Sequence, residues 1–324
     1  MALFVVYHHF LLAHTHPVSP IVTSDKSRLL QHGVLPALWI PTDVQGQFME
    51  ADFARLMQFS LQSGVSGFMV LGTTGEFPHL EIATRKRVLE VAVANAAGLP
   101  VMANISDIRP RVVADLGRFA RSVGVDAVSL LPPYYYPLAQ EDLQEFFVRS
   151  AEEAGLPLFL YNFPERVGYK ISLETIAAVA DRVPMLGIKQ SGAEFSYHQE
   201  LVDLGRKKNF VVITGADTAI PEALPLGVTG VVSGLSNGLA DLVVNTYRQV
   251  KSGVTREKIP SAAHLTHVSQ LLGKMEFPFN IAATIAARGL PIGHPKMIVS
   301  STTQARFQQL TGEFRRLYQE WNLI

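Results

Sequence analysis

One joint recurs along this chain and restricts its fold more than any other feature. A helix-like segment ends in Gly-Val, one polar or small residue follows, and an apolar run begins. It reads Gly64-Val65-Ser66 before residues 67–70, Gly124-Val125-Asp126 before 127–130, and Gly227-Val228-Thr229 before 230–232. A second form, Ala-Gly-Leu-Pro, stands at 97–100 and 154–157. Glycine supplies a left-handed helix cap and proline stops the helix, so both forms read as helix-to-strand joints. The runs that follow are continuously apolar, as in a parallel sheet covered on its outer face.

Strands are expected to begin near Val34, Phe68, Val101, Ala127, Leu158, Leu186, Val211 and Val231. The segments between them carry single apolar stripes; Leu143, Phe146, Phe147, Ala151 and Ala154 follow the helical spacing. Ser172 is placed to cap the helix after the fifth strand. Eight strand–helix units over roughly 220 residues predict a (β/α)8 TIM barrel spanning 33–252. A doubly wound open sheet is the alternative, but the first strand is not followed by a glycine-rich dinucleotide fingerprint. Beyond residue 252 only helical periodicity persists, over 256–272, 277–289 and 301–320, which predicts a C-terminal helical region, 253–324. His264 and His267 share a helix face there and read as partly buried polar residues rather than metal ligands. Residues 1–32 show no period and are expected to form a poorly ordered extension. Four histidines, His8, His9, His14 and His16, fall within it. The apolar run Met1 to Ala13 lacks a basic leader and is too short to span a bilayer.

Charge narrows the partners. The 324 residues hold 28 Lys plus Arg against 28 Asp plus Glu. Such a balance provides no general field for nucleic acid or an anionic membrane, which points to small molecules or further copies of the chain. With no cysteine, thiol nucleophiles, thiolate metal sites and disulfides are excluded. A cytoplasmic location is the default expectation.

In a barrel, working residues sit where strands end and the following loops open. Strand two ends in Gly72-Thr73-Thr74-Gly75-Glu76, a tight turn whose amides and hydroxyls suit a carboxylate. The fourth ends in Pro133-Tyr134-Tyr135-Tyr136-Pro137, and the fifth in Tyr161-Asn162-Phe163-Pro164-Glu165-Arg166. In strand six, Gly187-Ile188-Lys189, the lysine shares a face with Gly187 and would have a glycine-sized space beneath it. A lysine ending an apolar strand ordinarily just reaches solvent. Inside a barrel, however, loss of water would favour the uncharged amine that attacks a ketone.

These four strand ends, in order and spacing, resemble the dihydrodipicolinate synthase and N-acetylneuraminate lyase family. The likeness extends over about residues 33–290 and includes Gly215-Ala216-Asp217 and Gly230-Val231-Val232-Ser233-Gly234. The resemblance implies a Schiff-base lyase acting on pyruvate or a related 2-oxo acid together with an aldehyde. Lys189 would be the imine-forming nucleophile and Tyr161 would move protons beside it. Thr73 would relay protons between Tyr161 and Tyr135, which would reach across a subunit interface. Thr74 and Gly75 would help hold the substrate carboxylate, while Gly187 and Val232 would line the pocket. A homodimer or homotetramer is implied. The iminium is itself an electron sink, so no cofactor and no metal are called for.

Arg166 stands where the dihydrodipicolinate synthases of the family bind the carboxylate of their aldehyde, which favours a synthase-like reaction. Val167 and the third strand end, Ala103-Asn104-Ile105-Ser106-Asp107, depart from that pattern. The Tyr134 to Pro137 string is similar to 2-keto-3-deoxygluconate aldolases. An aldolase of that type or of the N-acetylneuraminate type therefore remains open, as does a non-catalytic 2-oxo acid binding protein.

Overall fold

The computed structural model describes residues 21–324. The apolar run Met1 to Ala13 and the four histidines lie outside the described residues. Eight parallel strands alternate with helices: β1 Gly33–Pro36, β2 Phe68–Val70, β3 Val101–Asn104, β4 Ala127–Leu130, β5 Leu158–Asn162, β6 Met185–Gln190, β7 Val211–Thr214 and β8 Gly230–Ser233. Neighbours pair in chain order from β2 through β8, and β8 pairs β1. The ring is completed between β1 and β2 by the parallel bridge Ala37–Met69 and by the bond from Leu38 N to Met69 O, 2.9 Å. This is a (β/α)8 barrel with its working face at the carboxyl ends of the strands.

Each expected strand start lies within one residue of the observed one. The five joint glycines, Gly64, Gly98, Gly124, Gly155 and Gly227, have φ between +62° and +111°, the left-handed cap the joints require. Ser172 caps the helix Leu173–Ala180, accepting from Thr175 N at 3.2 Å.

Part of the expected extension is regular. Ser24 caps a short helix, Asp25–Arg28, which runs into a 3-10 turn, Leu29–Gln31. Leu30 is fully buried, Gln31 Nε2 donates to Leu186 O at 2.9 Å, and Thr229 Oγ1 donates to Gln31 O at 2.6 Å. The expectation of disorder is corrected for these residues. One apolar side chain and two long-range hydrogen bonds order a segment too short to show a period.

The C-terminal region supplies helices Pro260–Leu272, Phe279–Ala287 and Ser301–Glu320. The alanine-rich middle helix packs tightly on Ser236–Lys251: a Cβ on Gly238 would stand 2.6 Å from Thr284 O. His264 is half-buried, as expected, and stacks on Trp321 with ring centres 3.9 Å apart, whereas His267, expected to be partly buried, is exposed. Between the last two helices the chain returns over the working face of the barrel. There Trp39 Nε1 donates to Ile292 O at 2.8 Å, and His294 N to Thr42 O at 2.6 Å.

Candidate active site

Strand register brings the central pair together. Tyr161 on β5 and Lys189 on β6 are direct partners. Both are almost completely buried, and Lys189 Nζ lies 4.0 Å from the centre of the Tyr161 ring. The Tyr161 hydroxyl is 3.1 Å from Thr73 Oγ1, a bond in which either oxygen can donate. One buried amine and a bonded pair of hydroxyls therefore meet where three strands end, groups of the kind that can serve as a nucleophile and a proton path.

Above them opens a cavity of about 420 Å³ lined by Thr74, Tyr161, Lys189 and Val232, with Arg166 contributing from its rim. Its size suits a small organic substrate. Thr74 is buried, and its Oγ1 lies 3.4 Å from where a Cβ on Gly234 would stand, so a bare glycine leaves this hydroxyl room. Gly215 does the same for the lysine: a Cβ there would lie 3.0 Å from Lys189 Cε and 1.9 Å from Ser191 Oγ. Gly75 sits behind the turn, where a Cβ would meet Leu38 O at 2.8 Å. It permits close backbone packing and does not line the cavity.

Two further expected placements change. The space left by Gly187 is not open to the pocket, because the Phe159 ring fills it; a Cβ on Gly187 would come within 2.6 Å of Phe159 Cε1. Phe159 faces Gly187 across a register shift in which Leu186 of β6 is the extra residue, so the ring lies under the lysine instead of a void. Tyr135 stands outside the cavity, 80% exposed, with its backbone at φ +81° and its ring edge against Tyr136 at 4.7 Å. Within one chain, Thr73 therefore bonds Tyr161 and not Tyr135. Tyr134 alone of the three turns inward, packing edge-on against Phe77.

Arg166 occupies a short helix, Pro164–Val167, and its guanidinium lies over the rings of Phe277, at 5.3 Å, and Phe163, at 5.9 Å. Asp217 was part of a matched motif, yet the sequence suggested no role for it. It lines the cavity, accepts from Ser233 Oγ, and receives Leu235 N at 3.4 Å. Burial pushes its carboxyl up to about 6, against the pull of those donors and of Lys189. An acid just past the end of β7 was the available signal. Among the described residues no group of three or more His, Asp or Glu gathers into a metal site, and no helix is long and apolar enough to cross a membrane.

The arrangement matches known proteins along most of its length. A family model described as the dihydrodipicolinate synthetase family matches residues 30–311. An uncharacterized DapA-like lyase of Rhizobium meliloti is 32% identical over 290 residues, 88% of this chain and 96% of its own. A 4-hydroxy-tetrahydrodipicolinate synthase of Methanothrix thermoacetophila is 32% identical over 205 residues, 63% of this chain and 69% of its own. Among solved structures, the prophage protein YagE of Escherichia coli K12, crystallised with pyruvate, superposes with a TM-score of 0.83 at 25% identity, covering 91% of this chain and all of that one.

Proposed function

The chain belongs to the dihydrodipicolinate synthetase family, and from that premise we propose that it is a lyase that forms a Schiff base between Lys189 and pyruvate. The observation that carries this reading is the buried Lys189 amine against Tyr161, whose hydroxyl is paired with Thr73 beneath an open cavity. The neutral amine adds to the ketone carbon of the 2-oxo acid, and the resulting carbinolamine loses its oxygen as water to give an iminium. Tyr161 and Thr73 carry the protons that this addition and loss require. The iminium then accepts the electron pair left when a proton departs from the neighbouring carbon, and the enamine so formed attacks an aldehyde. Read backwards, the same steps cleave a carbon–carbon bond. Thr74 and the turn amides would hold the carboxylate.

Reaction with pyruvate followed by borohydride tests this directly. The reduced pyruvyl mass is expected on the peptide containing Lys189, and labelling elsewhere or nowhere would overturn the mechanism.

For the second substrate, Arg166 favours an aldehyde bearing a carboxylate, as in a 4-hydroxy-tetrahydrodipicolinate synthase. Among the described residues its guanidinium rests on aromatic rings and pairs with no carboxylate. Asp217 and Ser233 support a second reading, an aldehyde rich in hydroxyls, because a carboxylate wall accepts hydroxyl protons and repels anions. Rates with aspartate semialdehyde, glyceraldehyde and N-acetylmannosamine separate the two. Arg166→Met should weaken only a carboxylated aldehyde, and Asp217→Asn only a hydroxylated one.

A further inference from the structure

The turn that carries Thr73 and Thr74 is bounded by two residues in the left-handed region, Leu71 at φ +59° and Glu76 at φ +56°. Neither is glycine, and such a backbone persists only where surrounding structure holds it. Inside the turn the backbone makes only local bonds, from Gly75 N to Gly72 O at 3.1 Å and from Glu76 N to Thr73 O at 3.0 Å. Both left-handed residues are gripped from distant parts of the chain.

At the first, the Leu71 carbonyl accepts from Asn104 Nδ2 at 2.7 Å. Asn104, at the end of β3, is itself fixed. Its Oδ1 accepts from Ser106 Oγ at 2.6 Å, and that Oγ accepts from Leu131 N at 2.8 Å. At the second, Glu76 Oε2 accepts from Lys296 Nζ at 2.8 Å. The Lys296 side chain is 3% exposed, its Nζ lies 4.4 Å from the centre of the Trp39 ring, and its backbone belongs to the segment that returns over the barrel mouth. The His79 ring also stands nearby, with Nδ1 3.7 Å from Glu76 Oε1.

We infer that Asn104 and Lys296 are positioning residues for the 2-oxo acid site, holding the two ends of the turn so that Thr73 meets Tyr161 and Thr74 faces the cavity. The inference rests on reading that turn as the carboxylate site. A buried ion pair gains little net stability once both ions are stripped of water, whereas it fixes geometry well. The pair joins residues 220 positions apart at the edge of the site, where geometry matters most. Asn104 makes the same kind of contact with a neutral donor.

The test is the pyruvate dependence of borohydride labelling in the full-length protein, alongside kcat and KM with whichever aldehyde proves active. Wild type is compared with Asn104→Ala, Lys296→Met, Lys296→Arg and the double variant Glu76→Gln/Lys296→Met. Small misplacements of positioning groups cost up to about 10²-fold, so half-saturating pyruvate should rise by about tenfold or more in Asn104→Ala and Lys296→Met. The aldehyde KM should stay within about twofold, because those groups do not touch the far side of the cavity. Lys296→Arg should recover most of the pyruvate affinity. If Lys296→Met does not fold, the double variant, which removes both charges, decides: folded with weak pyruvate affinity supports the inference. Folded variants with wild-type pyruvate saturation overturn it, whatever their melting temperatures. A double variant that fails to fold also overturns it, since the two side chains would then be structural. Wild type that traps no pyruvate at Lys189 removes the catalytic reading and this inference with it, an outcome distinct from labelled wild type with unchanged variants.

Discussion

Tyr161 carries two jobs in one side chain: its ring face lies against the Lys189 amine and its hydroxyl is tied to Thr73. Removing the hydroxyl alone separates them. Tyr161→Phe should lose about 10² to 10⁴ in turnover, the usual worth of a positioned proton-transfer group, while pyruvate is still trapped on Lys189. Single-turnover rates and labelling stoichiometry measured together check this, and unchanged turnover would remove the phenol from the mechanism. Asp217 makes a different kind of prediction. Its carboxyl, ordinarily at 3.8, is pushed up to about 6 by burial. The native state therefore keeps a proton that the unfolded chain has lost, and this group's contribution to stability declines as pH rises from about 4 to about 6. Asp217→Asn has no such proton to lose. The melting temperature of the variant minus that of wild type should climb across that interval and level off above it. A difference that does not change with pH would contradict the assignment.

At the scale of strands and helices, close approach of β6 to its neighbours is what fixes the floor of the site. A methyl group on Gly187 would meet Phe159 Cε1 at 2.6 Å and Val211 O at 2.8 Å. The second contact is backbone and cannot swing aside. Gly187→Ala should cost about 1–3 kcal/mol by overpacking, visible as an earlier thermal transition. The elements themselves were legible because their signals are local. A glycine cap, a following apolar run and a Ser172 cap each act within a few residues, and β1 to β8 begin where those signals stand. That Lys189, Tyr161, Thr73 and Thr74 lie close together was legible because strand ends converge in any barrel, whereas the place of Val232 in the cavity wall was expected from the family resemblance alone. What escaped depended on contacts between distant positions. The Phe159 ring under Gly187 follows from a register shift, and periodicity does not encode such shifts. Lys296 is bonded to a glutamate 220 residues earlier, and Leu30 is buried by a barrel that the residues around it do not describe.

For the whole molecule, the exposed rings of Tyr135 and Tyr136 on an otherwise charge-balanced surface support the assembly of at least two copies. Tyr135 would then complete a neighbour's proton path through Thr73. Light scattering should give a dimer or tetramer, and a fully active monomer would rule this arrangement out. A mixing experiment is more specific. Tyr135→Phe and Lys189→Ala should each be nearly inactive alone. Exchanged into mixed dimers they should regain about a quarter of wild-type activity, since half the dimers are mixed and each has one intact site. No recovery after verified exchange would confine Tyr135 to its own subunit.

The segment that brings Ile292, His294 and Lys296 back across Trp39, Thr42 and Glu76 has a consequence in time. Translation proceeds from the amino end, and domains fold as their residues emerge. All eight strands have left the ribosome before residue 290 is made, so a barrel can close around Lys189 while the turn after β2 still lacks its anchor. Competence to bind substrate would thus arrive last, as a distinct late step after the ring has formed. A full-length protein nicked within this segment, with the helix Ser301–Glu320 still docked, should stay folded yet be slow to engage a 2-oxo acid.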